Sequence, residues 1–114
     1  NMDLIRLLLM RSEGDREAEK AAKKFSVEER AYHVQLMIDA GLVEGFVRRD
    51  ENGEFTGAVV SRLTWVGHDF LQSIRDDSLW TKAKKQVLQS GASWTFDILK
   101  EWAKQEMKQK LGLP

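Results

Sequence analysis

The sequence predicts an α+β fold, mostly α: three helices, a two-stranded hairpin and then further helices. Three observations carry that expectation. An amphipathic segment with marked ends runs from Ser26 to Gly41, an Asn52-Gly53 pair separates two strand-like stretches, and apolar residues recur at helical spacing on either side. At 114 residues the chain is long enough for one core and too short for two full ones.

Asp3 is expected to cap a first helix that runs to about Ser12, in which Leu4, Ile5, Leu7, Leu8, Leu9 and Met10 are apolar on nearly every side, broken chiefly by Arg6. Such a helix must be buried on two faces, the second against a C-terminal helix or another protomer. After Glu13-Gly14, the stretch Asp15 to Lys24 is rich in Ala, Glu and Lys, with Ala18, Ala21, Ala22 and Phe25 on one side. It is expected to be a short helix. The third begins at Ser26, which can accept from a first-turn amide, with Glu29 three residues on as in a capping box, and Gly41 is expected to end it in the left-handed conformation. Val27, Ala31, Val34, Met37 and Ile38 make its expected core stripe, while Glu29, Arg30, His33 and Asp39 are expected to look outward.

Leu42 to Arg48 reads as a strand, Asp50 to Glu54 carries the Asn-Gly pair of a hairpin turn, and Phe55 to Leu63 returns as the second strand. Thr64 to His68 leads into a fourth helix with Phe70, Leu71 and Ile74 inward, ending near Asp76-Asp77. Ser78 or Asp77 is expected to cap a fifth, with Leu79, Trp80, Ala83, Val87 and Leu88 inward and Gly91 at its end. A last helix is expected from Ser93, with Trp94, Ile98 and Trp102 along one edge, stopped by Gly112 and Pro114. Helix, short helix, turn, helix and hairpin is the order of a winged helix-turn-helix. The expected organisation is therefore a winged-helix module over residues 1–77 and a helical extension packed on it over 78–114.

Net charge is zero, with 18 basic and 18 acidic residues, so no global field draws the chain to nucleic acid or an anionic membrane. There is no cysteine, which removes disulfides, thiolate chemistry and most structural zinc sites and fits a reducing cytoplasm. The apolar run Leu4 to Met10 is too short to cross a bilayer, and no signal-peptide cleavage pattern follows it. His33 and His68 are the only histidines, and neither has a third ligand at helical spacing. No glycine-rich phosphate loop and no nucleophile–base pair is present, so neither a metal, a cofactor nor an enzymatic activity is expected.

The pair Met37-Ile38-Asp39-Ala40-Gly41-Leu42-Val43 and Arg62-Leu63-Thr64-Trp65-Val66-Gly67-His68-Asp69-Phe70-Leu71 resembles the end of the recognition helix and the exit of the wing in winged-helix regulators. More narrowly, Met2 to Arg6, then Phe25-Ser26 with Tyr32-His33, Arg62 to Trp65, and Arg75-Asp76-Asp77 with Trp80 resemble the DUF2513 family of uncharacterised bacterial and phage proteins. Glu13 to Lys24 departs from that pattern, being short and helix-prone. The resemblance implies a winged-helix core and a home in phage or prophage genomes, and it brings no activity.

Two functions are expected from this reading. The first is a DNA-binding transcriptional regulator of phage type, in which Arg30, Tyr32, His33 and Gln35 read base edges in double-stranded DNA and Arg48, Arg49 and Arg62 contact phosphate. Glu28, Glu29 and Asp39 against Arg30 make that helix slightly acidic, where phosphate favours bases. The alternative is a non-catalytic protein-interaction module that binds no DNA and uses Leu36, Trp80, Trp94 and Trp102. Either is expected to work as a homodimer away from any membrane.

Overall fold

The computed structural model describes residues 1–90 together with 101, 102, 105, 106, 108, 109 and 112, with the side chains of 87–90 outside that description. Among these residues the elements run α1 (Met2–Ser12), α2 (Arg16–Ala22), α3 (Val27–Asp39), β1 (Val43–Arg49), β2 (Phe55–Leu63), α4 (Trp65–Ile74) and α5 (Asp77–Ser90). Residues 101, 102, 105, 106, 108 and 109 are also helical, whereas the expected helix start at Ser93, with Trp94, Ile98 and Pro114, lies outside the described residues. The fold is thus α+β and mostly helical, with one antiparallel two-stranded sheet among the described residues. Packing divides the chain into two units, Asn1–Asp69 and Phe70–Pro114.

In the first unit α1 packs against α2, α3 and β2, and α3 lies against both strands. Leu4, Ile5, Leu8 and Leu9 are buried within the single chain, while Leu7 and Met10 are half-buried. Its cap is Asn1, whose side chain accepts from the amides of Asp3 and Leu4, and not Asp3 as expected. Asp3 instead lies in the first turn, where a carboxylate meets the positive end of the helix. Asp15 caps α2 through the Ala18 amide at 3.0 Å.

The ends of α3 are those its residues call for. Ser26 Oγ accepts from the Glu29 amide at 3.1 Å, and Gly41 closes the helix at φ 74°. Gly41 N–H donates to Ile38 O and Leu42 N–H to Met37 O, both at 2.9 Å, the paired bonds of a Schellman motif. A β-branched residue there must hold a left-handed backbone, so Gly41→Val is expected to lower stability by about 1–3 kcal/mol. A urea melt of that variant matching the parent refutes this.

The buried side of α3 differs from the expected stripe. Ala31, His33, Val34 and Met37 are buried, Ile38 is half-buried, and Val27 is 46% exposed. As the first helical residue beside the cap, Val27 stands in solvent. His33 is 7% exposed rather than outward-facing, because its ring bonds the backbone of its own helix, Nδ1 lying 2.6 Å from Glu29 O.

The strands pair from Val43 with Leu63 to Arg49 with Phe55, and register shifts at Glu44/Gly45 and Arg48/Arg49 leave Ser61 and Thr56 as extra residues on β2. The Asn-Gly pair is not the centre of a two-residue turn. Asp50 O accepts from the Gly53 amide at 3.0 Å and Asp50 Oδ1 from the amides of Asn52 and Glu54, so Gly53, at φ 79°, follows a wider turn. Thr64 ties this hairpin to α3: its amide donates to Leu42 O at 3.0 Å, its hydroxyl donates to Gly41 O, and its Oγ1 accepts from the Gly67 amide at 3.0 Å. His68 Nδ1 reaches Glu13 Oε1 at 3.0 Å, fixing the first turn of α4 to the α1–α2 turn.

In the second unit Phe70, Leu71, Ile74, Leu79, Trp80 and Ala83 are buried as their spacing predicts. The cap of α5 is Asp76 rather than Asp77 or Ser78: its carboxylate accepts from the Leu79 amide at 2.9 Å and from the Ser78 hydroxyl.

Candidate functional site

The candidate surface is the hairpin with the exposed side of α3. Burial alternates along β1, so Val43 and Val47 take the covered side while Glu44, Phe46 and Arg48 take the open one. Register sets Arg62 beside Glu44 and Val59 beside Phe46. Phe46 is 51% exposed and Val59 39%, an apolar pair in solvent on a sheet of two strands.

Arg62, expected at phosphate, is held across the strands. Its Nε and Nη2 each donate to one oxygen of the Glu44 carboxylate at 2.8 Å, a bidentate pair. The bond draws the Glu44 carboxyl below the usual carboxylate range and raises Arg62. Arg48 and Arg49 remain exposed. The Arg48 guanidinium lies 5.9 Å from the Phe46 ring centroid, and that of Arg49 lies 4.3 Å from Phe55. Phe55 in turn meets Tyr32 of α3 with ring centroids 5.9 Å apart.

On α3 the residues expected to read bases are mostly engaged. Gln35 Nε2 donates to Asp39 Oδ1 at 2.9 Å, and Arg30 Nε folds back on Ser26 O at 3.4 Å. His33 is buried, its ring edge-on to Tyr32 at 5.5 Å. Tyr32, at 47% exposure, stands free of the core, among Glu28, Glu29 and Asp39, all exposed. Nearby, burial and the charge of Arg30 push the Arg11 guanidinium down, against the opposing pull of Glu19.

The expected interface residues are scattered. Leu36 is half-buried, Trp80 is buried, and Trp102 is half-buried with Nε1 donating to Gln86 Oε1 at 3.1 Å, while Trp94 lies outside the described residues. Trp65, not among the residues expected at an interface, is 86% exposed. Its signal was its phase, since Trp65 falls off the Phe70, Leu71 and Ile74 stripe. Phe46 was likewise legible as the outward member of an alternating strand. Among the described residues no group of three or more His, Asp or Glu side chains could hold a metal ion, and no helix is long and apolar enough to cross a membrane.

A family model described as hypothetical protein (DUF2513) matches residues 1–93. The chain belongs to the DUF2513 family. An uncharacterized protein of Haemophilus influenzae is 31% identical over 118 residues, covering 98% of this chain and 98% of its own length. No solved structure matches the chain. The family match takes in every helix and strand that builds the surface described above.

Proposed function

We propose that this DUF2513 protein is a non-catalytic binding module on a winged-helix-type frame, working in the cytoplasm, with the open face of its hairpin as the working surface and a protein as its partner. The frame rests on element order, with α3 in the place of a recognition helix and the hairpin in that of the wing. The observation that carries the choice of partner is the contrast between two surfaces. The solvent side of α3 presents Glu28, Glu29 and Asp39, which phosphates repel, while the hairpin presents Phe46 and Val59 to water. An aromatic residue beside exposed arginine is the composition of a protein contact.

A photo-reactive side chain placed at position 46 tests this in cells of the native host. The expected result is cross-linking to a discrete protein, absent when the same group replaces Thr56. Equal labelling from both positions overturns the proposal.

A second reading has its own support. Arg48 and Arg49 are exposed and outside any ion pair among the described residues, so a phage-type regulator that touches duplex DNA through the wing keeps two phosphate contacts.

A further inference from the structure

Along its open face β1 reads Glu44, Phe46, Arg48: an acid, an aromatic and a base on one side at two-residue steps. Register sets Arg62, Val59 and Gly57 beside them, so the face has three rows. The first is the Glu44–Arg62 ion pair, the middle is Phe46 with Val59, and the last is Arg48 next to a residue without a side chain. Such a face is complementary to itself. A two-fold rotation about an axis lying between the two faces, parallel to the sheet and running along the middle row across the strands, lays Phe46 and Val59 on their own copies and brings Arg48 of each chain to Glu44 of the other.

We propose that the open face of the hairpin is an interface between two copies of this chain. The inference rests on the reading of that face as a protein-binding surface and names its occupant. Charge complementarity selects the second copy, because the one strand carries both members of the ion pair that the rotation forms. Gly57 leaves room for the approach, since a side chain built there meets nothing within 4 Å. The chain has zero net charge, so two copies carry no overall repulsion. Two strands bury less than the roughly 1,200–2,000 Å² of a standard stable interface, so the association is weak and follows concentration.

Sedimentation equilibrium on the purified full chain, from about 10 µM to about 1 mM, reads it directly. The expected result is a mass rising toward that of a dimer. Phe46→Glu is expected to stay monomeric throughout and Arg48→Glu to weaken association about tenfold or more, whereas Arg48→Lys stays near the parent. Both positions are solvent-facing, so each of the three variants is expected to melt as the parent does. Because the chain has no cysteine, Val59→Cys sets a single thiol in the middle row. It is expected to cross-link between chains under mild oxidation, and Thr56→Cys, exposed on the bulge, is not. A parent that is monomeric at the highest concentration, or a dimer indifferent to Phe46→Glu and Arg48→Glu, overturns the inference. With only purified chain present, that failure refutes the second copy as occupant and leaves the protein-binding reading to the cross-linking experiment in cells.

Discussion

Gly67→Ala is expected to destabilise the protein by about 3 kcal/mol, although the same change in an open helix stabilises by about 1 kcal/mol. The signs differ because of where α4 begins. A Cβ at Gly67 collides with the carbonyl oxygen of Leu42 and crowds the rest of that peptide. The carbonyl has no freedom to retreat, since it accepts the Thr64 amide at 3.0 Å in the connection between hairpin and helix. Either that bond breaks or the first turn of α4 moves off the α3–β1 corner. Urea melts of parent and variant decide the matter by sign: a variant more stable than the parent shows that the close approach is absent.

Leu8→Ala is the second large effect, expected to cost about 2–5 kcal/mol. Leu8 is fully buried on α1, the helix that packs on α2, α3 and β2. Truncation removes three carbons from a site bounded by several elements, and a rigid surround cannot close over the cavity. Leu7, one position earlier, is only half-buried, so Leu7→Ala is expected to cost less. The measurable is the urea midpoint, which falls while the slope stays unchanged. Equal effects at the two positions contradict the orientation of α1.

Features fixed by one or two neighbouring residues were legible in the sequence. Ser26 and Gly41 bound α3 because a hydroxyl and a missing side chain solve local backbone problems, and they solve them in any surroundings. The strands followed from alternation, with β2 at its expected bounds and β1 displaced by one residue to Val43–Arg49. Ambiguity entered where neighbours compete for one task. Asn1 caps in place of Asp3, and Asp76 in place of Asp77 or Ser78, because each of these side chains accepts an amide and only the path of the chain chooses among them.

The surface was less legible than the fold. His33 looks polar in a sequence, yet its ring is buried once Glu29 O satisfies one nitrogen. Arg62 looks available until register sets it opposite Glu44, and that register depends on the extra residue Ser61. Periodicity carries no information about either. The alternation that sets Phe46 opposite Val43 and Val47 was plain, but only its 51% exposure shows which of the two faces stays open to solvent.

We propose above that the hairpin face, rather than the acidic side of α3, makes the functional contact. Titration of the purified protein against a random-sequence duplex pool with selection, at low and at physiological salt, tests it most directly. With Arg30 and Arg62 engaged inside the chain, few phosphates are neutralised, and each contributes only about 0.9 to the salt slope. The expected result is no enriched sequence and weak binding that vanishes at physiological salt. An enriched duplex bound at physiological salt, with affinity lost on Arg30→Ala and unchanged on Phe46→Glu, contradicts it.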